Sequence, residues 1–374
     1  MALRATIMNG LTSTYLESCS TSLMRRSPRT VGLVYSRPGG GDQSLQFHCY
    51  DESGLLDSGD VAMKHECLSC LVREHTYEEL RKLDGLDRWT DALITFPPGV
   101  DPGAFPHLVD AFQGDDAPDF TLTVDTCLAV IDAVLLGEQL SSVELLRDWS
   151  LSVFGADERT IGEVLSRQIE FADRLLLANM HRIAPADRTG LIELMTMLNA
   201  EADHVSLDSQ GRCFIPSIGL NRFDLDAARR QNPLSSNEAP HPVRGEHFQS
   251  LVWHRTRPMH PGRLATALED NLPGSIRTRG QLWFATHPEK QICWESSGPM
   301  CSIAALSSWE HVPSGAECFL YLVGEDLDEK GLIEALDATL LTDEEYAADV
   351  SSWRAFENPF ANDMQLSPVE ETDQ

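Results

Sequence analysis

The sequence predicts an α/β fold: a largely parallel sheet with helices on both faces, followed by a smaller α+β unit. Three observations carry that prediction. Residues 5–8, 13–24 and 31–36 read as strand, helix and strand, a βαβ opening. Apolar strands then keep alternating with helix-length segments, the pattern of a sheet buried on both sides. Finally, QNPLSSNEAPHPVRG, residues 231–245, is rich in Pro, Ser and Asn and has no apolar periodicity, which marks a linker.

Taken in order, a helix is expected at 76–82, an apolar strand at 91–96, a Pro/Gly-rich loop, and a buried strand at 120–124. Ile161, Val164, Leu165, Gln168 and Ile169 form a helical stripe over 159–172, followed by an apolar strand at 174–178 and a helix near 191–200. Beyond the linker, strands are expected at 247–255, 281–286, 291–294 and 318–323, and helices at 261–271 and 330–336. Thr342 reads as the N-cap of a helix whose first turn holds Asp343, Glu344 and Glu345. The expected organisation is therefore a first domain over 1–230, a linker over 231–245, a second domain over 246–350 and an acidic, flexible tail over 351–374.

The 374 residues are 42% hydrophobic and carry a formal net charge of −29. That charge opposes binding to a phosphate backbone, so naked nucleic acid is not an expected partner. No apolar run approaches the eighteen or so residues of a membrane span, and the start, MALRATIMNGL, lacks a signal-peptide core. The nine cysteines lack framework spacing and fit reduced thiols, so a cytoplasmic protein is expected, with no membrane partner.

A phosphate cradle needs a strand, a glycine loop with inward-facing N–H groups, a Lys, and a Ser or Thr for magnesium. Counted from Gly10, the second glycine position holds Tyr15, the lysine position Leu16 and the hydroxyl position Glu17. An ordinary turn into a helix explains the segment better. Arg37-Pro38-Gly39-Gly40-Gly41-Asp42 is followed by the run SLQFHCY and reads as a strand-to-strand turn. KHECLSCLVR places Cys67 and Cys70 at CxxC spacing, with His65 and Glu66 beside them. Two thiolates can bind a soft or borderline cation, although a redox pair or two plain thiols at a helix start read equally well from spacing. His260 and Arg279 read as a turn histidine and a solvated arginine, and Trp283 and Trp294 as core.

The same segment resembles the Gly-Cys-x-Cys-Cys motif of the CobW family of P-loop GTPases. Cys67 and Cys70 match its first and third cysteines, Ser69 replaces the middle one and Glu66 the glycine. RTIGEVLSRQIEFADRLLLAN, residues 159–179, is similar to the family's QxEfADvivlNK segment, with Thr123-Val124-Asp125 in the place of its preceding VVD strand. Ile94 to Pro102, ITFPPGVDP, keeps the shape of the Walker B stretch but has Phe96 at the acidic position. FQSLVWHRTRPMHPGRL, IRTRGQLWFA, residues 294–298 and residues 324–341 follow the order of the CobW C-terminal domain.

The resemblance implies a P-loop NTPase-like first domain, a CobW C-terminal second domain, and metal at Cys67 and Cys70, with His65 and Glu66 as further ligands. Zinc is the implied metal. Gly10 and Asn179 occupy the degenerate nucleotide-binding positions, and Asn179 is followed by Met180, His181 and Arg182 instead of Lys-x-Asp. With the Lys, the magnesium anchors and the guanine-reading Asp all replaced, no catalytic residue is assigned, and GTP with magnesium is not expected as a working cofactor. His65-Glu66-Cys67-Leu68-Ser69-Cys70 matches the His-x-Cys-x-Ser-Cys pattern of the actinobacterial branch that recruits a ribosome hibernation factor. That implies a metal-responsive recruiting protein whose partner is the hibernation factor or the ribosome. The alternative is an active GTPase metallochaperone that delivers zinc to a client.

Overall fold

The computed structural model describes residues 3–37, 45–62, 67–111, 122–152, 154, 157–231, 241–269, 275–311 and 315–362. The chain divides into two compact units, Met1–Gln231 and Asn232–Gln374.

The first unit is built on an eight-stranded sheet in the order β4-β3-β2-β5-β1-β6-β7-β8. Its strands are β1 (Leu3–Gly10), β2 (Thr30–Ser36), β3 (Gln46–Asp51), β4 (Gly54–Asp60), β5 (Asp91–Thr95), β6 (Leu122–Asp132), β7 (Arg174–Ala178) and β8 (Asp203–Ser206). Every pair from β2 across to β8 is parallel, and only β3 and β4 join antiparallel, as a hairpin beyond β2. Its main helices are α1 (Ser13–Met24), α2 (Leu68–Asp84), α3 (Ala104–Ala111), α4 (Leu136–Leu140), α5 (Ile161–Phe171), α6 (Pro185–Leu198) and α7 (Leu225–Gln231).

Side-chain alternation assigns the two faces of the sheet. Leu3, Ala5 and Ile7 of β1 pack with Leu71, Val72 and Leu80 of α2 and Phe105 of α3. Met8 of the same strand points the other way, to Leu16, Cys19 and Leu23 of α1. Helices therefore cover both faces. The chain leaves β1 toward β2 on one side and later reaches β6 on the other, so the crevice at the C-terminal end of β1 lies at the topological switch, where ligands of such sheets bind.

Several elements depart from expectation. The helix predicted at 76–82 begins at Leu68, because Leu68, Leu71, Val72, Thr76, Glu79 and Leu80 form one buried stripe and Cys67 caps it. The strand predicted at 120–124 runs on to Asp132, with a register shift beside β1 that accommodates the polar pair Asp125 and Thr126. The helix predicted near 191–200 starts at Pro185, where proline's fixed φ suits the first turn.

The second unit is a five-stranded antiparallel sheet in the order β12-β11-β10-β13-β9. Its strands are β9 (Phe248–Arg255), β10 (Ser275–Leu282), β11 (Lys290–Ser297), β12 (Met300–Ser308) and β13 (Cys318–Glu325), with helices α8 (Pro261–Glu269), α9 (Glu329–Ala338), α10 (Asp343–Ala347) and α11 (Val350–Trp353). One sheet face packs Trp253, Leu282, Trp294 and Leu320 against Leu264 of α8 and Leu332 and Leu336 of α9. The other face is polar yet buried. Arg279, read from sequence as solvated, is 1% exposed and lies 5.2 Å over the Tyr321 ring, and Arg277 pairs with Glu295 at 3.3 Å.

Thr342 does cap α10, in a reciprocal box with Glu345. The segment expected as a flexible tail is anchored as far as 362: Trp353, 7% exposed, donates its indole N–H to the Glu345 carbonyl at 2.7 Å. An apolar anchor had been hidden there by its acidic surroundings. Residues 363–374 lie outside the described residues, as do 232–240 of the linker.

Candidate functional site

The connection from β1 to α1 is only Leu11 and Thr12, since the helix begins at Ser13. Tyr15, Leu16 and Glu17, which stand where the second glycine, the lysine and the hydroxyl residue of a phosphate loop would be, are therefore helical. The N–H groups of Tyr15 and Leu16 both donate to the Thr12 carbonyl at 3.1 Å. The Tyr15 and Leu16 N–H groups, which in such a loop would face phosphate, are thus spent within the helix. Leu16 is 3% exposed and belongs to the core under α1. Gly10 has a packing reason of its own: a Cβ there would meet the Val130 carbonyl oxygen of β6 at 2.8 Å.

Tyr15 crosses the end of the sheet. Its hydroxyl accepts from Asn179 Nδ2 at 2.7 Å, and the same amide donates to both oxygens of Asp132, at 3.1 and 3.0 Å. Asn179 sits just past β7 with φ of 59°, a left-handed conformation that asparagine tolerates. Gly10 and Asn179 thus stand at the ends of β1 and β7 with β6 between them, and Tyr15 and Asp132 close the space over β6 and β7. Asp132 was missed from sequence, where Asp125 had been matched to the strand's acidic end. Asp125 instead lies far from that end, 1% exposed, where it accepts from Thr6 and from the N–H groups of Gly219, Leu220 and Asn221. An acid ending the apolar run CLAVID was the available signal.

Toward β2 the crevice stays open. A cavity of about 440 Å³ is lined by Glu17, Tyr35, Arg37, Thr95, Phe96 and Pro97, among others. Phe96, at the Walker B acid's position, is 1% exposed and packs edge-on to Phe105. Thr95 Oγ1 is buried without a partner among the described residues, and Arg37 spans to the Ser150 carbonyl at 2.8 Å.

Cys67 and Cys70 lie at the start of α2, on the other sheet face from α1. Cys67 is the N-cap, and its sulfur accepts from the Cys70 N–H at 3.4 Å. Cys67 is exposed and Cys70 half-buried. Burial, then the neighbouring Cys67 thiol, hold the Cys70 thiol above its ordinary pKa, while Arg73 pulls the other way. Ser69, between them, accepts from the Asp101 N–H at 2.9 Å and so ties this turn to the loop after β5. Asp101 in turn accepts from Gly103 N at 2.9 Å and faces Arg167 of α5 at 3.4 Å. Further along α2, the Thr76 hydroxyl meets Tyr35 of β2 at 2.8 Å, and Tyr35 also lines the crevice. His65 and Glu66 lie outside the described residues. Among the described residues no group of three or more His, Cys, Asp or Glu could hold a metal ion. Two cysteines would supply half of a tetrahedral zinc shell, so a zinc site here would need two further donors.

A three-layered parallel sheet with an altered phosphate turn, followed by a separate antiparallel domain, defines a P-loop NTPase-like protein with a C-terminal accessory domain. Comparison narrows the class: residues 48–206 match the CobW/HypB/UreG nucleotide-binding domain, and residues 248–340 match the cobalamin synthesis protein CobW C-terminal domain. The chain thus joins a CobW-type nucleotide-binding domain to a CobW C-terminal domain. It is 26% identical over 338 residues to a zinc chaperone of Mycobacterium tuberculosis, covering 80% of this chain and 78% of that one. It is also 26% identical over 346 residues to zinc-regulated GTPase metalloprotein activator 1 of Dictyostelium discoideum, covering 82% and 71%. The Zn(II)-bound YjiA GTPase from E. coli covers 91% of this chain and 100% of its own at 15% identity and a TM-score of 0.42, too low for the likeness to bear on function. Among the described residues no helix is long and apolar enough to cross a membrane.

Proposed function

We propose that this chain handles zinc through Cys67 and Cys70 on behalf of a protein partner, in the cytoplasm, on a nucleotide-fold scaffold that does not hydrolyse GTP. The observation that carries the metal reading is the thiol pair sharing the first turn of α2, with one sulfur at the cap and the other a turn away. Zinc is the metal that the names of both relatives carry, one as a zinc chaperone and the other as a zinc-regulated activator. Ser69 supports coupling, since a change at the thiols reaches the loop after β5 through one hydrogen bond. The scaffold reading rests on α1, whose early start uses the Tyr15 and Leu16 N–H groups, buries Leu16 at the lysine position and brings Tyr15 onto Asn179. Gly10 and Asn179 then serve packing and closure.

In its finer form, drawn from the His-x-Cys-x-Ser-Cys pattern, the partner is a ribosome hibernation factor or the ribosome. In the form suggested by the relatives' names, it is a metal-receiving client protein. His65 and Glu66, adjacent to Cys67 in the sequence, complete the ligand set, the partner supplying any donors that remain. A second reading, an active GTPase metallochaperone, is favoured by the open 440 Å³ crevice at the switch of the sheet.

The test is zinc stoichiometry of the native chain and of Cys67→Ser/Cys70→Ser by metal analysis after equilibrium dialysis. Native protein should hold zinc and the double variant should lose it, while the two unfold alike when both are stripped of metal. Equal zinc content in the two proteins removes the metal role assigned to these thiols.

A further inference from the structure

A second concavity, of about 600 Å³, runs between α1 and the turn after β8. From α1 it takes Glu17, Thr21 and Arg25, one helical turn apart, with Ser18 and Ser22 beside them. Eight residues of rise make this wall about 12 Å long, room for roughly four residues of extended chain. The facing wall is preset. Asp208 accepts from the N–H groups of Gln210 and Arg212, each at 2.9 Å, and holds the Arg212 guanidinium at 2.6 Å. Gly211, with φ of +72°, lets this turn approach so closely that a Cβ would meet Tyr15 at 2.8 Å. Cys213 N–H donates to Ser22 Oγ at 2.9 Å and fixes the turn to α1.

Charge and exposure single out one end of this groove. Phe214 is 45% exposed, with the Arg26 guanidinium 4.7 Å and the Arg212 guanidinium 5.4 Å from its ring. Ile215, 50% exposed, extends the apolar strip. Arg25 and Arg26 are exposed, and among the described residues neither has a carboxylate within ion-pair distance. In a chain of net charge −29, two adjacent arginines without counter-charges beside an exposed ring are a local exception.

We propose that this groove docks an extended acidic segment of a partner protein, with carboxylates on Arg25 and Arg26 and an apolar side chain against Phe214. A compact phosphate fits less well. The arginines stand at the C-terminal end of α1, whose dipole opposes a concentrated negative charge. Carboxylates spaced along a strand each reach one guanidinium, and Glu17 at the opposite end of the wall sets the direction in which such a segment can lie. The proposal deepens the reading above, from which it takes only the existence of a protein partner.

The test is fluorescence anisotropy with the full chain, in a metal-chelating buffer, using the labelled octapeptide Glu-Glu-Leu-Glu-Asp-Leu-Glu-Glu and its Gln/Asn counterpart. The acidic peptide should bind saturably and the amide peptide at least about tenfold more weakly. Arg25→Glu/Arg26→Glu should weaken the acidic peptide at least about tenfold, and Phe214→Ala, at an exposed ring, several-fold, each with unchanged thermal unfolding. Cys67→Ser/Cys70→Ser should bind it like the native chain, so that failure of the metal reading and failure of the groove are told apart. Equal binding by native and arginine-reversed chains overturns the proposal, as does no saturation up to about 1 mM. Displacement by equimolar inorganic pyrophosphate would make the groove a small-anion site and overturn it as well.

Discussion

At the scale of single residues, the nucleotide crevice is decided by where α1 begins and by what Tyr15 does. One phenol hydroxyl accepts from Asn179, whose amide also serves Asp132. Tyr15→Phe removes an acceptor but leaves the carboxylate, so it should cost about 1 kcal/mol, read from the urea midpoint, with no gain in GTP affinity. A variant that binds GTP would show that the hydroxyl alone had been blocking the crevice. Away from the crevice, Asp173 accepts from the Cys127 N–H at 2.7 Å, and burial pushes its pKa up to about 6, with Arg222 offsetting part of the rise. The folded chain then holds a proton there that the unfolded chain has released above about 4. This group's contribution therefore makes the protein less stable as pH rises from about 4 to 6, by on the order of 3 kcal/mol, and is flat above that. Urea unfolding at several pH values should show Asp173→Asn gaining on the native chain across that window. Parallel pH profiles would refute the assignment. Tyr15 and the replaced lysine could be read from the sequence because a missing residue type is visible there. Asp132 was harder to read, because two acids, Asp125 and Asp132, follow apolar residues in that stretch and which one ends the strand depends on where the strand stops.

At the scale of elements, α2 sets the cysteine pair, and magnitudes say how. The Ser69 bond to Asp101 is a single neutral hydrogen bond, worth about 1 kcal/mol. Leu80, fully buried in the core beneath α2, contributes more, since removing such a side chain costs about 2–5 kcal/mol. Packing places the helix, and the hydrogen bond fixes its first turn against the loop after β5. Leu80→Ala should accordingly lower the thermal midpoint by several degrees, whereas Ser69→Ala should lower it little and instead raise hydrogen exchange around Asp101 and Gly103. If Ser69→Ala leaves exchange in that loop unchanged, the proposed coupling has no path. Strands such as β5 and β7 were legible because all five residues of each are buried. The start of β10 was not: Arg277, Thr278, Arg279 and Gly280 carry no strand pattern, and only partners such as Glu295 and Tyr321 on the neighbouring strands make them buried sheet residues.

At the scale of the whole molecule, alternation of apolar strands with helices made the first unit readable, and a Pro/Ser-rich break marked where it ends. The strand β4 and the short helix α3 were less visible, since β4 is an exposed edge strand without an apolar face and α3 follows a run rich in Pro and Gly. Of the site, the two cysteines were legible as a motif, whereas their tie to the loop after β5 required the fold. A scaffold of this kind keeps the shape of a nucleotide-binding domain while its phosphate turn has become the start of a helix. On the proposed reading no nucleoside triphosphate is held there. Calorimetric titration of the purified, zinc-loaded chain with GTP and magnesium, with ATP alongside, tests it most directly. The account predicts no saturable heat tighter than about 1 mM from either nucleotide, under conditions where zinc still binds. Saturable binding of GTP alone would contradict it and restore the GTPase reading.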